Sequence, residues 1–175
     1  MADGAGEMVE LEVLGVRRQA PADQVVVLLL DLVGRRLLPI VVGLNEGSAI
    51  VAGQSGMAPP RPMTHDLLVS ALRTVGAEPV RVEVVALIDG VFHAALVLDS
   101  GDRVDSRASD AIAVAVRVGC PVLCAASVLE ESGLEVEEHT PEDEVEEFRA
   151  FLDTVNADDF VAGDEGGGDV PDRPS

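Results

Sequence analysis

The amino-acid sequence predicts an α+β fold: a mixed, mainly antiparallel β-sheet with packed helices in a single core domain, followed by an acidic C-terminal helix. Two observations indicate the sheet, because short runs rich in Val, Leu and Ile recur along the chain and turn residues separate several of them. A third indicates the helices, since apolar residues recur elsewhere at intervals of three and four. With 47% apolar and only 2% aromatic residues, the core consists of small branched side chains.

Two hairpins account for four of the predicted strands. In the first, Val33-Gly34-Arg35 supplies the turn between two β-rich runs. In the second, Asp89-Gly90 supplies a two-residue turn, which is a strong hairpin signal. Three further segments have strand character, the first because its apolar and polar residues alternate. The predicted strands are residues 8–16, 24–31, 36–42, 79–88, 91–98, 102–106 and 121–125.

Four helices are predicted within the core domain. Asn45, Thr64 and Ser109 are the predicted N-caps of the first three, because their side-chain oxygens can accept hydrogen bonds from free backbone N–H groups. Asp66 lies in the first turn of the second helix, where a negative charge is favourable. The third helix is apolar almost all round, which predicts that it is buried. The predicted helices are residues 47–54, 65–75, 109–118 and 127–132.

The negative charge of the chain is concentrated in its C-terminal part. The net charge is −20, of which residues 8–133 carry −5 and residues 134–175 carry −13. A phosphate backbone is repelled by a polyanionic protein, but the core alone is only mildly acidic. The charge pattern therefore weakens a nucleic-acid-binding function without excluding it.

The composition also sets the predicted domain boundaries. Residues 1–7 are predicted to be a disordered N-terminus and residues 8–133 to form the core domain. Residues 134–162 are an acidic helical extension, in which Thr140-Pro141-Glu142-Asp143 marks a helix start. Residues 163–175 are rich in Gly, Asp and Pro and are predicted to be a disordered tail.

Several features predict a cytoplasmic location. No apolar run is long enough to span a bilayer, and the N-terminus lacks the basic and apolar regions of a signal peptide.

Along a strand, Cys120 and Cys124 would lie about 13 Å apart at roughly 3.3 Å per residue, too far for a disulfide. Both are therefore predicted to be buried free thiols.

Four motifs resemble the bifunctional nuclease family, a bacterial and plant domain family. In the family's order they are Leu38-Pro-Ile-Val-Val-Gly, Arg61-Pro-Met-Thr-His-Asp-Leu-Leu, Gly90-Val-Phe-His-Ala and Asp105-Ser-Arg-Ala-Ser-Asp-Ala-Ile-Ala-Val-Ala. The similarity covers about residues 8–133. Gly47 and Ala108 stand where the family usually has Ala and Pro, but both keep a small residue. The resemblance implies an α+β fold, a homodimer, and nuclease activity on both RNA and DNA.

Carboxylates within and beside these motifs are candidates for a metal site. Phosphodiester hydrolysis needs an activated water and stabilisation of charge on the phosphate, and carboxylates that hold Mg²⁺ or Mn²⁺ supply both. The predicted metal ligands are Glu46, Asp66, Asp105 and Asp110.

Other motif residues are candidates for catalysis and substrate binding. His65 can act as a general base or a metal ligand, since a histidine titrates near neutral pH. Arg61 and Arg107 can bind phosphate through two parallel hydrogen bonds. The predicted catalytic residues are His65, Asp66, Asp105 and Asp110.

Most of these residues also have a structural interpretation. Asp66 can stabilise the start of its helix, and His65 can bond to the backbone of its loop. Ser109 is a candidate N-cap before it is a candidate nucleophile. Asp105 and Arg107 can form an ion pair that pins a turn. The sequence alone leaves these alternatives open.

Two hypotheses about function follow. The first is a metal-dependent nuclease of low sequence specificity that acts on RNA and DNA. The second is a dimeric interaction or regulatory module without catalysis, favoured by the net acidity and by an apolar stripe on residues 141–152. A third possibility is that the acidic tail restrains the core by mimicking a polyanion. No phosphate-binding Gly-rich loop or nucleophile elbow is present, and Phe92 is the core's only aromatic residue, which disfavours tight single-strand binding.

Overall fold

A computed structural model of the protein describes residues 6–19 and 23–136. The chain divides into two units, Met1–Val136 and Glu137–Ser175, and the described residues all belong to the first. The helix start predicted at Thr140 lies outside the described residues, as do the predicted tail and all of the acidic extension after Val136.

The described residues contain an eight-stranded sheet. Its strand order is β6-β5-β4-β7-β1-β2-β3-β8, and every neighbouring pair is antiparallel except β4 with β7. The predicted mixed, mainly antiparallel sheet is thus confirmed. The strands are β1 (Met8–Gln19), β2 (Gln24–Asp31), β3 (Arg36–Val42), β4 (Pro79–Ile88), β5 (Val91–Leu98), β6 (Arg103–Arg107), β7 (Val122–Ala125) and β8 (Leu134–Glu135).

The strand β1 joins the two halves of the sheet. Its residues 8–11 pair with β7, and its residues 12–19 pair with β2. Between Val13 and Gly15 the register shifts, and Gly15 has a φ of 143°, which favours glycine. Such a bulge bends a strand and increases its twist. The bulge therefore allows one strand to pair with both β7 and β2.

Both predicted hairpins are confirmed. At the β2–β3 turn, the carboxylate of Asp31 accepts hydrogen bonds from the N–H groups of Val33 and Gly34, each at 2.9 Å. At the β4–β5 turn, Asp89 and Gly90 have φ angles of 51° and 77°. A two-residue turn with two positive φ angles matches the right-handed twist of the strands that it connects.

The four predicted helices are also present, but three predicted N-caps are wrong. The N-cap positions are Gly43, Met63 and Arg107, so Asn45, Thr64 and Ser109 lie inside the first turn. The strands β3 and β6 run almost directly into helices, which leaves no loop residue for a polar cap. No helix among the described residues is long and apolar enough to cross a membrane. The helices are α1 (Leu44–Gln54), α2 (Thr64–Thr74), α3 (Ala108–Val118) and α4 (Ala126–Ser132).

The helix α3 forms the centre of the core, as its apolar composition predicts. Its residues 111–115 are buried and belong to one apolar cluster with Val82 and Val84 of β4. It packs closely on α1, because a Cβ atom added to Gly53 would lie 2.6 Å from Cγ2 of Val116. Glu83 alternates with Val82 and Val84 along β4 and therefore lies on the face of the sheet turned away from α3.

Both cysteines are free thiols, as predicted, but the predicted burial is complete only for Cys124. Cys124 lies in β7 and is buried in the apolar cluster, whereas Cys120 precedes the strand and is partly buried. Burial raises the pKa of Cys124 to about 12. A thiol with so high a pKa is protonated at neutral pH and is a poor nucleophile, so we assign it a packing role.

Candidate functional site

Three helices begin with a carboxylate at the same position. Glu46, Asp66 and Asp110 are the third residues of α1, α2 and α3. A negative charge in the first turn interacts favourably with the positive end of the helix dipole and with its free N–H groups. In α2 the carboxylate of Asp66 accepts a hydrogen bond from the N–H of Met63 at 2.9 Å, which satisfies the N-cap backbone.

Two of these helix N-termini and a histidine of the third are linked by side chains. Arg107 Nε donates to Asp110 Oδ2 at 2.6 Å, and Arg107 Nη1 lies 3.2 Å from Glu46 Oε1. The other oxygen of Asp110, Oδ1, lies 3.1 Å from Nε2 of His65. Glu46, Arg107, Asp110 and His65 thus form one continuous arrangement, called the four-residue network below.

Asp110 occupies the centre of the four-residue network and is ionised there at neutral pH. Partial burial raises the pKa of its carboxyl, but hydrogen bonds from Arg107 and His65 outweigh burial and leave the pKa below its ordinary value. Its partner Arg107 is 66% exposed, and among the described residues Nη2 of that guanidinium has no acceptor. The network therefore presents an unused donor to solvent.

His65 is the member of the network with a free ring nitrogen. Its side chain is 13% exposed, and within residues 6–19 and 23–136 its Nδ1 has no hydrogen-bond partner. In the tautomer that donates from Nε2 to Asp110, the lone pair lies on Nδ1. A carboxylate that orients a histidine in this way is the usual support of a general base.

Asp66 belongs to a second, separate cluster. Its Oδ1 accepts a hydrogen bond from Nε of Arg117 at 2.6 Å. Arg117 is 8% exposed and also donates to the carbonyl oxygens of Ala49 and Ala113, at 2.9 and 2.8 Å. Burial by itself would raise the pKa of Asp66. The hydrogen bonds from Met63 and Arg117 outweigh burial and leave the pKa below its ordinary value. This cluster ties α1, α2 and α3 together.

The structure does not bring Asp105 to the other carboxylates. Asp105 lies opposite Ala95 of β5, on the same face of the sheet as Glu83, and is exposed. Its side chain makes no hydrogen bond or ion pair with any described residue. The ion pair considered between Asp105 and Arg107 does not form, because Arg107 pairs with Glu46 and Asp110.

Arg61 also stands apart from the network. It lies in the connection between α1 and α2, is exposed, and has no side-chain partner in the described part of the chain. Arg117, which holds Asp66, was not among the site residues predicted from the sequence. The signal available in the sequence was a single arginine in the last turn of an otherwise apolar helix.

A cleft of about 360 Å³ opens at one end of the network. One wall consists of residues 39–42 of β3 and Gly43, the N-cap of α1. The other consists of residues 90–92 of the β4–β5 hairpin. The polar residues that line it are Glu46, Arg107 and the buried Ser109. The cleft therefore combines an apolar wall with an arginine and a carboxylate, which is typical of small-ligand sites.

The predicted metal ligands form no single site as placed. Among the described residues, no three His, Cys, Asp or Glu side chains are grouped so that they could hold a metal ion. Glu46 and Asp110 approach the same guanidinium, whereas Asp66 and Asp105 lie elsewhere. Mg²⁺ is commonly held by one or two carboxylates together with substrate phosphates. Glu46 and Asp110 fit that more limited role.

The fold and the motif residues define a member of a nuclease family. Residues 27–137 match the family model described as the bifunctional nuclease domain, and the chain belongs to this family. The resemblance that the motifs predict is thereby confirmed.

Two relatives from Mycobacterium tuberculosis, strains CDC 1551 and H37Rv, are each 40% identical to the chain over 163 residues. The match covers 89% of this chain and 99% of each relative, and both relatives are named as uncharacterized proteins. The likeness thus extends over nearly the whole length of both chains, but it brings no substrate with it.

Proposed function

We propose that the chain is a nuclease that hydrolyses phosphodiester bonds of RNA and DNA with low sequence specificity. The observation that carries the proposal is the four-residue network, in which a carboxylate orients His65 beside an exposed arginine at helix N-termini. Helix N-termini and arginine are groups with which proteins commonly bind phosphate. The family to which the chain belongs supports the same reaction class.

Each residue of the network has a distinct role in this proposal. Nη2 of Arg107 donates to a phosphate oxygen and stabilises the charge that develops on it. His65 removes a proton from the attacking oxygen through Nδ1, and Asp110 stabilises the histidinium that forms. Glu46 holds the guanidinium of Arg107 in place from the side of α1.

The bond changes at phosphorus are the same for both substrates in the first step. The attacking oxygen forms a bond to phosphorus, the bond from phosphorus to the leaving oxygen breaks, the leaving oxygen takes up a proton from water, and His65 returns the proton that it accepted to water. In DNA the attacking oxygen must come from water, whereas in RNA it can be the neighbouring 2′-hydroxyl, which gives a cyclic phosphate that a water molecule then opens in a second step. The absence of base-specific chemistry in this scheme accounts for low sequence specificity.

The predicted dependence on Mg²⁺ or Mn²⁺ forms part of the proposal. Glu46 and Asp110 would hold the ion together with the substrate phosphate, and the ion would supply charge neutralisation on that phosphate. With Glu46 and Asp110 engaged by the ion, the phosphate would be the only partner of the Arg107 guanidinium in the network. Activity on DNA with Mg²⁺ or Mn²⁺, and its loss in EDTA, is the expected result; unchanged cleavage of DNA in EDTA would contradict it.

The test of the site uses purified full-length chain with RNA and single-stranded DNA. His65→Gln and Asp110→Asn should each lower kcat/KM by about 100-fold or more, the usual contribution of general acid–base catalysis. His93→Gln and Arg73→Gln are matched controls outside the network and should retain the parent rate. Unchanged rates in both network variants would refute this assignment of the site.

One observation favours the non-catalytic alternative. Every carboxylate of the network already has a protein partner, as expected for side chains that only hold helices together. In that case the chain would be a dimeric interaction module, and no cleavage above background would occur at any enzyme concentration. Cleavage that co-purifies with the chain and falls in the His65→Gln variant excludes this alternative.

A homodimer is part of both functions. We propose that two copies of the chain associate. The substrate of this assembly is nucleic acid, and its location is the cytoplasm. The surface that would join the copies can be inferred separately from the strand at the edge of the sheet.

A further inference from the structure

The strand β6 forms one edge of the sheet, and its outer side is unpaired in the described part of the chain. Residues Arg103–Arg107 pair with β5 alone, and all of them except Ser106 are exposed. An edge strand presents free N–H and C=O groups that can pair with another strand. This edge has no proline or bulge that would block such pairing.

The outward-facing backbone groups of β6 can be assigned from its pairing with β5. The N–H of Leu98 donates to the carbonyl oxygen of Asp102 at 2.9 Å, which closes the hairpin. In an antiparallel pair, hydrogen-bonded residues alternate with residues whose groups point away. Val104 therefore faces β5 with its backbone groups, whereas Arg103 and Asp105 direct theirs outward.

The side chains of this edge have unused bonding capacity of opposite sign. Asp105 is exposed and has no partner among the described residues. Arg103 uses Nη1 for its ion pair with Glu83, and among the described residues its Nε and Nη2 have no acceptor. Both side chains lie on the same face of the sheet, because they are two residues apart in a strand. An acceptor and a donor are thus presented side by side.

We propose that β6 pairs with β6 of a second copy of the chain, antiparallel, about a two-fold axis that passes through Val104. This proposal deepens the homodimer proposed above and rests on it. In this register Arg103 lies opposite Asp105 of the other copy, twice by symmetry. Each such pair exchanges two backbone hydrogen bonds and forms one cross-strand ion pair. Val104, which is 45% exposed, packs against its own counterpart.

The charges select this register over its neighbours. An axis through Asp105 would place that residue against itself and Arg103 against Arg107, and like charges directly opposite each other are destabilising. A shift by one residue would place outward backbone groups of one strand against inward groups of the other, so the ladder could not form. The register centred on Val104 satisfies both the hydrogen bonds and the charges.

Charge exchange tests the pairing directly. Asp105→Arg gives a strand with two arginines at the paired positions, and Arg103→Asp gives a strand with two aspartates. Neither variant should dimerise alone, whereas an equimolar mixture should form a dimer in which every opposed pair is complementary. The measurement is the molar mass by light scattering of each full-length variant and of the mixture, with Asp89→Arg as a control that should stay dimeric.

A second test does not disturb Glu83. Val104→Cys should form a disulfide between the two introduced thiols under mild oxidation, because directly opposed residues that are not hydrogen-bonded bring their Cβ atoms within bridging range. Val91→Cys, at an exposed position of β5, should not form this cross-link at the same concentration. This test decides the outcome if Arg103→Asp fails to fold.

The outcomes separate the interface from the homodimer itself. A dimeric parent chain that remains dimeric in Asp105→Arg, with no cross-link in Val104→Cys, would overturn the β6 interface but leave the homodimer standing. A parent chain that is monomeric at every concentration would overturn both. Loss of the dimer in each single variant and its recovery in the mixture would establish the pairing.

Discussion

Two carboxylates of this domain are held by arginine side chains in contrasting settings. Glu83 is 8% exposed and lies on the face of the sheet turned away from α3, where Arg81 and Arg103 both pair with it. Asp110 lies at the N-terminus of α3, between Arg107 and His65. In both cases burial raises the pKa and hydrogen bonds more than reverse this effect, so both carboxyls have lowered pKa values.

The contrast between the two sites lies in their partners. Both partners of Glu83 are arginines, which stay charged at every relevant pH, so nothing in that cluster can exchange a proton near neutrality. Within the described part of the chain, one partner of Asp110 is a histidine with a free ring nitrogen, and the other is an exposed arginine with a free donor. We infer that the Glu83 cluster contributes stability, whereas the four-residue network contributes reactivity. Four predictions test this division.

The largest expected effect concerns the coupling of His65 and Asp110. His65→Gln and Asp110→Asn should each lower kcat/KM by about 100-fold, and the double variant by little more, because residues that act as a unit in catalysis have non-additive effects. Initial rates on RNA for the four proteins of the cycle provide the measurement. Effects that multiply to about 10,000-fold would show two independent contributions and break the proposed unit.

The second prediction concerns stability at the sheet. Glu83→Gln should lower the free energy of unfolding by about 2 kcal/mol, less than for a fully buried pair because both arginines are partly exposed. Urea denaturation measures this change, and Glu78→Gln, in an exposed pair with Arg73, is the matched control that should show no comparable loss. An unchanged kcat/KM per folded molecule is expected, and a large loss of rate would contradict the division of roles.

The third prediction is the pH dependence of that stability difference. Because the pKa of Glu83 is lowered from 4.5 in the folded state, the ionised form favours folding. The stabilisation is fully present above the unfolded pKa and is lost as the pH falls through the folded pKa. Urea midpoints of the parent chain and Glu83→Gln should therefore differ at neutral pH and converge in acid. A difference that grows in acid would reverse the sign and refute this interpretation.

The smallest effects are expected for the arginines taken singly. Arg81→Gln and Arg103→Gln should each lower the free energy of unfolding by about 0.5–1 kcal/mol, since Glu83 keeps one partner and exposed ion pairs are weak. Denaturant titrations of both variants beside Glu83→Gln supply the comparison. If either single change matched the loss in Glu83→Gln, that arginine alone would account for the stability of the cluster.

The local structure was largely predictable from the sequence, because hairpins and helices depend on residues close to one another in the chain. Asp89-Gly90 determines its turn by backbone geometry alone, and the apolar composition of residues 109–118 predicts burial without any knowledge of partners. The N-caps were wrong because Asn45, Thr64 and Ser109 were judged by side-chain chemistry. The third-position acids Glu46, Asp66 and Asp110 were a better sign of where the helices begin.

The grouping of site residues was less predictable, because it depends on distant parts of the chain. His65 and Asp110 are 45 residues apart, and Asp66 and Arg117 are 51 residues apart. The sequence identified three of these four residues but not which of them pair. Asp105 was grouped with Asp110 because the two share a motif, whereas the strand directs Asp105 to the other face of the sheet. That grouping required the tertiary fold.

The position of β7 has a consequence for the order in which the domain can fold. β1, β2 and β3 pair among themselves, and so do β4, β5 and β6, but only β7 joins β1 to β4 in the described sheet. During synthesis the two half-sheets can form early, while the strand that unites them is made after some 120 residues. Pairings between such distant segments are slow to form. We therefore expect the nascent chain to carry two separate half-sheets, which join only after α3 and β7 have emerged from the ribosome.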